Sequence, residues 1–362
     1  MFPTDYDSII ARIAQIEPSE YAKSRNFING KVSYLSPYIS RGVISTRQVW
    51  QTLQSKGMSI EVAEKFVQEL AWRDYFQRVW QHLGDNIYQD IKQRQEKVKH
   101  YALPSAVLQA KTGIEAIDIS IQKLYETGYM HNHCRMYTAF LACNVAQSHW
   151  LQPAKWLYYH LLDADWASNA CSWQWVAGTF SSKKYVANQE NINKYTHSAQ
   201  NNSYLSVDYA QIDNLPIPPA LQKVSAFDLT TELPKNESIV IDNTLPTFLY
   251  NFYQLDPLWH KGEAGNRILL LEPSHFEAYP ISPKSLQFML NLAKNIQNIQ
   301  VYVGEFATLK TEFDLQTIHF KEHPLTRHYT GLQSERDWLF PAVSGYFPSF
   351  FAYWKKCQQY LS

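Results

Sequence analysis

The sequence predicts two structural classes in succession: an all-helical domain over residues 1–200, then a smaller Rossmann-like α/β domain over 236–362, joined by a linker at 201–235. Three observations predict this. Eight of the eleven tryptophans lie between Trp50 and Trp175, among apolar residues spaced three and four apart. Asn201, Asn202, Asn214 and Leu215-Pro-Ile-Pro-Pro219 then break the pattern as loop and extended chain. Beyond them come short, nearly continuous apolar runs, the pattern of parallel strands buried on both faces.

The elements follow in order. From Ser59 as N-cap, Val62, Phe66, Phe76 and Trp80 mark an amphipathic stripe that also carries Glu69 and Arg73. A charge isolated there is costly, so the two must find each other or a polar ligand. A second helix over 113–126 shows Ile114, Ile117, Ile121 and Leu124 with Asp118 among them. A third runs from His131 to about His149, with Asn132, Arg135, Ala139 and Cys143 on one side, and a fourth spans about 153–162. Helices with converging buried charges suit a domain wrapped around a polar cofactor. In the second domain Ser238-Ile-Val-Ile-Asp242, Arg267–Glu272 and Ile299–Val303 are the predicted strands, with a helix over 285–296 between the last two. No G-x-G-x-x-G follows any of them, which leaves dinucleotide binding unsupported.

Composition sets outer bounds. The 362 residues are 45% hydrophobic and 18% charged, as in soluble globular proteins. No apolar run nears transmembrane length, and the start is no signal peptide, so a cytoplasmic monomer without membrane association is expected. The four cysteines show no C-x-x-C spacing and are expected as reduced thiols, with no metal site. Lys and Arg balance Asp and Glu at 33 each, but residues 1–200 hold 21 against 17, a weak hint of a polyanionic partner.

Two stretches concentrate the chemistry: Thr127-Gly-Tyr-Met-His-Asn-His-Cys-Arg-Met136 and Asp163-Ala-Asp-Trp-Ala-Ser-Asn-Ala-Cys-Ser-Trp-Gln-Trp175. If the second is helical, Asp165, Asn169 and Trp173 stack on one face at i, i+4 and i+8. Carboxylates, a carboxamide and an indole together suit a partner that is flat, polar at its edge and apolar on its faces. An isoalloxazine ring fits that description.

The same stretches resemble the flavin-binding core of the photolyase/cryptochrome family. The resemblance covers about residues 20–200 and adds Tyr21, Ser33-Tyr-Leu-Ser-Pro-Tyr38, Gly42-Val-Ile-Ser45 and Glu69-Leu-Ala-Trp-Arg-Asp74. It implies bound FAD. Ser33, Leu35 and Ser36 match the diphosphate contacts at a helix start, where free N–H groups favour an anion, and Tyr21 is a further phosphate contact. Arg135 and Asp163 match the buried ion pair beside the flavin, Asp165 the partner of its pyrimidine edge, and Asn169 the side chain facing N5; Arg73 is also placed at the cofactor. Glu69, Trp72, Asn132 and Trp175 match the cavity that takes a flipped-out pyrimidine dimer in DNA. Members that repair (6-4) lesions carry His in place of Asn132. Trp173 and Trp150 match the first two tryptophans of the electron path to the flavin, and Arg25 and His133 fall among the contacts to DNA phosphate.

The chain also departs from the family. Val32 stands where Thr is usual, His133 where Arg is usual, and no Trp lies at 90–110 for the third electron donor, for which Tyr101 and Tyr88 are the substitutes. Lys184–Asn193 is similar to the branch that carries an iron–sulfur cluster, but the cluster cysteines are lacking, so none is expected. The α/β part, which precedes the flavin domain in the family, follows it here: Leu269–Pro280 and Gly345–Lys355 resemble antenna-domain segments. The expectation is a permuted photolyase, with the identity of any second antenna chromophore open.

The implied function is light-driven repair of cyclobutane pyrimidine dimers by electron transfer from reduced FAD, with single-stranded DNA the candidate preferred substrate. The rival is a cryptochrome-like blue-light sensor that keeps FAD without repair, and a third reading is an FAD-binding relic with a structural role. Each residue also has a plain alternative: Asp163-x-Asp165 as the metal motif of a sugar transferase, His131 and His133 as zinc ligands, Glu69 with Arg73 as a structural pair, Trp173 and Trp175 as core.

Overall fold

The computed structural model describes residues 2–361, which form two compact units, each built from separate stretches of the chain. One comprises residues 17–32 and 83–229, the other 1–16, 33–82 and 230–362. This division differs from the boundaries at 200 and 236 expected from sequence. The helices of residues 33–82 cluster with the C-terminal sheet, and the expected linker up to Leu229 folds into the helical unit.

The helical unit is built on Glu115–Thr127, Asn132–Phe140, Leu151–His160, Trp166–Ala177 and Gln189–Thr196. Trp150, Trp156, Trp166 and Trp173 are buried in it, which accounts for the aromatic density. Ile114, Ile117, Ile121 and Leu124 form the predicted buried face. Asp118 is not a cofactor-facing charge: its carboxylate accepts from the Thr112 N–H and hydroxyl at 2.7 Å and from the Gly113 N–H at 3.2 Å, securing the start of that helix. The third helix ends early. After Phe140 the chain makes a π-helical turn over Leu141–Val145, with Ala146 N–H on the Leu141 carbonyl at 2.8 Å, and leaves the helix. Within the expected linker, Tyr209–Ile212 and Pro219–Gln222 are short helices. Strand β2 (Val224–Ser225) pairs antiparallel with β1 (Leu103–Pro104).

The other unit holds a five-stranded parallel sheet of β3 (Thr247–Tyr250), β4 (Asn266–Leu271), β5 (Ile299–Val303), β6 (Ile318–Lys321) and β7 (Leu332–Ser334), in the order β5-β4-β3-β6-β7. Every residue of β3 and β4 is buried, the apolar Phe248–Tyr250 and Ile268–Leu271 together with Thr247, Asn266 and Arg267 at the strand starts. The helix Pro283–Ala293, capped by Ser282, connects β4 to β5. Ser238–Asp242, expected as a strand, is not one. It lies along edge strand β5, where the Gln300 amide both accepts from Val240 N–H (2.7 Å) and donates to its carbonyl (2.8 Å). A side chain thus replaces the backbone ladder and covers the edge.

The long helix Ile60–Leu83 starts directly after Ser59 and buries Phe66 and Trp80 of the predicted stripe, but its buried face is wider and also takes in Ala63, Val67, Leu70, Ala71, Tyr75 and Val79. Val62 is left 47% exposed. Asp74 and Arg78, not Glu69 or Arg73, are the buried charges of this helix, and Asp74 accepts from Thr46 Oγ1 at 3.0 Å and Leu339 N–H at 2.8 Å. Glu69 pairs with Lys65 at 3.2 Å, and Arg73 donates to the Ile39 carbonyl at 3.2 Å.

Candidate functional site

The two motif stretches meet in the helical unit. Gly128 ends the helix Glu115–Thr127 at φ +72, a conformation that favours glycine, and a Cβ there would lie 2.7 Å from Leu162 Cγ. That close approach lets Leu162 N–H reach the Gly128 carbonyl at 2.8 Å, setting Asp163 and Asp165 beside the Met130–Arg135 turn. Arg135 then donates to both Asp163 oxygens at 3.0 and 2.9 Å, and its Nε to the Met130 carbonyl at 2.8 Å. The predicted ion pair is present, with Asp163 buried.

Asp165 is also buried and serves as N-cap of the helix Trp166–Ala177, accepting from Ser168 N–H at 2.9 Å. One turn on, Asn169 donates to the Ala154 carbonyl at 2.8 Å and so ties this helix to Leu151–His160. Its own Oδ1 has no partner among the described residues, although the residue is buried. An amide acceptor left open on a mostly buried residue fits the N–H edge of a reduced flavin, and Trp173, one turn along the same helix, supplies an apolar surface. On this donor set the residues fit FAD.

Sequence reasoning missed Gln174, which is fully buried between the two indoles of Trp-Gln-Trp. It accepts from Ile91 N–H and Thr179 Oγ1 at 2.9 Å and donates to the Ile87 carbonyl at 3.2 Å, pinning the chain after residue 83 to this helix. A polar residue between two aromatics was the available signal.

Asn132 is exposed at the start of its helix, its amide 3.9 Å from Met136 Sδ, and Trp175 is 38% exposed beside Tyr185. His133 departs from expectation. It is buried, held by the Asn26 carbonyl at 2.8 Å and the Tyr185 hydroxyl at 3.5 Å, with its ring stacked on Tyr137. Burial pushes its pKa down, and both ring nitrogens are engaged within the protein, which takes it out of the expected place at DNA phosphate. His131 is likewise buried, its pKa lowered to about 4 by burial first, then by His133 and Arg135. Tyr21 and Arg25 lie half-buried on and just after the helix Pro18–Ser24, Arg25 donating to the Ala22 carbonyl at 3.0 Å.

Trp150 is fully buried and its Nε1–H donates to Asp90 at 2.7 Å. Its ring neighbours His149 (5.8 Å between centroids), which stacks on Tyr101 (4.8 Å), a residue 64% exposed. Tyr88 instead packs on Trp166 at 5.3 Å. Tyr101 is therefore the tyrosine in ring contact with the Trp150 neighbourhood.

Ser33, Leu35, Ser36, Glu69, Trp72 and Arg73 belong to the sheet-containing unit. Leu35 is the N-cap of the short helix Ser36–Ser40, with its side chain buried, and the Ser33 hydroxyl accepts from Leu35 N–H at 3.4 Å. Trp72 is stacked on Phe350 at 3.7 Å between centroids and 10° between planes. One of its faces is thus occupied, and its expected role as a wall for a base is confined to the other. A cavity of about 250 Å³, with Phe252, Tyr253, Glu272, His275, Tyr279 and His328 in its lining, opens at the C-terminal ends of β3, β4 and β6. All four cysteines are buried and unpaired. Among the described residues no helix is long and apolar enough to cross a membrane, and no cluster of His, Cys, Asp and Glu has metal-binding geometry.

A family model described as the FAD binding domain of DNA photolyase matches residues 66–206. Deoxyribodipyrimidine photo-lyase of Synechococcus sp. is 32% identical over 171 residues, covering 44% of this chain and 35% of that protein. A photo-lyase of Thermus thermophilus is 32% identical over 167 residues, covering 44% and 38%. The match thus spans little more than a third of these relatives. A class III photolyase structure from Agrobacterium tumefaciens aligns with a TM-score of 0.44 at 23% identity, over 53% of this chain and 44% of that one.

Proposed function

We propose that this chain, which belongs to the photolyase/cryptochrome family, is a light-driven DNA photolyase acting on cyclobutane pyrimidine dimers. When bound and reduced, FAD would supply photo-induced one-electron chemistry with no net redox change. The chain's own residues position the reactants. Arg135 and Asp163 form a closed charged frame, and Asp165 and the Oδ1 of Asn169 would take the polar edge of the ring. Ser33, Leu35, Ser36, Tyr21 and Arg73 are assigned to the cofactor on sequence resemblance.

The observation that carries the repair reading is the open state of Asn132 and Trp175. One presents an exposed amide and the other an exposed indole, groups that can bond a pyrimidine edge and stack on its face. Glu69 and Trp72 complete the substrate set by resemblance. With His133 buried, Arg25 is the remaining candidate for phosphate among the two expected contacts. Weak backbone binding penalises duplex more than single strand, because duplex also requires flipping the lesion out at a cost of roughly a few kcal/mol. Trp173 and Trp150 are proposed to carry an electron inward.

The sensor reading has its own support: the Phe350 ring lies flat on Trp72, and the expected histidine cation, His133, is buried, which disfavours its charged form. Blue light on the reduced protein with a dimer-containing oligonucleotide distinguishes the two. Restored pyrimidines support repair, and intact dimers favour the sensor.

A further inference from the structure

We infer that Asp90 is the proton acceptor for Trp150 when that indole is oxidised, an inference that rests on the proposed electron route. Trp150 is fully buried, so no solvent reaches its ring nitrogen. Its Nε1–H has one hydrogen-bond partner among the described residues, the Asp90 carboxylate at 2.7 Å, a short, charge-assisted bond. The other Asp90 oxygen accepts from Gln95 N–H at 2.8 Å, and Gln95 Oε1 accepts from the Trp150 backbone N–H at 2.9 Å. Carboxylate and indole are therefore fixed to each other through the same residue.

A tryptophan that only packs has no need of a carboxylate on its ring nitrogen, and placing one against a buried indole costs desolvation. An oxidised indole is a far stronger acid than indole itself, and a nearby negative charge also stabilises the cation before the proton moves. His149 Nε2 lies 3.5 Å from the same Asp90 oxygen that the indole bonds, and burial, the largest influence on that imidazole, disfavours its charged form. Asp90 also lines a polar cavity of about 270 Å³ with Arg94, Gln95, Lys97, Val98, Tyr101 and His149, so a proton placed on it has an exit.

The step balances as follows. One electron leaves Trp150 for the oxidised Trp173, the one-electron hole that the proposed photoreduction creates. The Trp150 Nε1–H bond breaks, its proton forms an O–H bond on Asp90, and Trp150 becomes a neutral radical facing a neutral acid. Return of the electron from Trp173's side to Trp150 then requires the proton to come back with it, which holds the separated charges apart. When Trp150 is re-reduced from the surface, the proton returns to Nε1.

The test is transient absorption of the FAD-loaded protein, which separates neutral from cationic tryptophan radicals, on wild type, Asp90→Asn, Asp90→Glu and Trp150→Phe. Asparagine keeps an acceptor oxygen but cannot take the proton. The expected result is a neutral-radical signal in wild type, its loss in favour of the cation in Asp90→Asn, and its recovery in Asp90→Glu. A neutral radical formed equally in Asp90→Asn overturns the inference while leaving the route standing. A signal unchanged in Trp150→Phe overturns the route and the inference with it. Independently of light, the Trp150 indole N–H resonance in the FAD-loaded, 15N-tryptophan-labelled protein should move upfield in Asp90→Asn; an unmoved resonance contradicts the bond on which the inference stands.

Discussion

A single guanidinium nitrogen of Arg135 reaches both carboxylate oxygens of Asp163, at 3.0 and 2.9 Å, while its Nε holds the Met130 carbonyl at 2.8 Å. One side chain thus locks the Met130 turn to the loop that launches the helix Trp166–Ala177. Asp163→Ala leaves that cation without its partner in a largely buried place, at a cost of roughly 3 kcal/mol. Urea unfolding measures the loss, and the FAD content of the purified variant should fall with it.

Asp165 serves two ends, as N-cap and as candidate partner of the flavin edge. Asp165→Asn preserves the cap, because asparagine caps as well as aspartate, whereas Asp165→Ala forfeits about 1 kcal/mol of helix stability. Both variants should lose FAD, with only the alanine variant unfolding earlier. Full FAD occupancy in Asp165→Asn contradicts the assignment of the carboxylate to the ring.

Gln174 satisfies three groups at once in a site closed to water. Gln174→Ala strands the Ile87 carbonyl and Ile91 N–H and opens a cavity, so a loss of roughly 3 kcal/mol is expected in urea unfolding. A loss below about 1 kcal/mol, the worth of one ordinary hydrogen bond, means these groups find other partners.

Light-driven reduction of the bound flavin should disappear in Trp173→Phe and Trp150→Phe while FAD remains. In Tyr101→Phe the first electron still moves, but refilling from the surface slows, since His149 then stacks on a ring without a phenol. Photoreduction in steady blue light with an external reductant reads all three. Wild-type rates in Trp173→Phe mean the electron enters elsewhere.

Buried histidines set a pH dependence, His131 and His275 among them. Burial lowers His131 to about 4, and burial followed by Arg41 lowers His275 to about 3, both from an ordinary value of 6.5. The unfolded chain binds their protons first as pH falls, so their contribution to stability is complete above about pH 6.5 and is lost progressively down to about pH 4 and 3. Unfolding free energy should therefore fall between pH 6.5 and 4. The fall should be shallower in His275→Gln, and a slope unchanged by that substitution places the titration on other groups.

Local chemistry was legible in the sequence where one element carries the whole signal. Asn169 and Trp173 share a face because helical spacing puts them there, beyond the Asp165 cap, and Ile268–Leu271 of the all-buried β4 shows as an unbroken apolar run. What escaped depends on partners distant in the chain. Ser238–Asp242 has strand composition, yet the Gln300 amide takes its backbone groups, and β3, β6 and β7 are too short for periodicity to mark. Phe350 on Trp72 and Asn26 on His133 join residues 278 and 107 positions apart by number, which no local pattern encodes. The unit boundaries failed for the same reason: residues 33–82 look helical, as they are, but helicity does not say which core they complete.

The most direct measurement of the central claim is dimer repair by the reduced, FAD-loaded protein under blue light, on single-stranded and duplex oligonucleotides, with Asn132→Ala run alongside. The account predicts restored pyrimidines, more from the single strand than from the duplex, and a lower yield in Asn132→Ala at unchanged FAD content. Dimers left intact on both substrates by a fully loaded, reduced wild-type protein contradict it, and the chain is then a light-sensing flavoprotein.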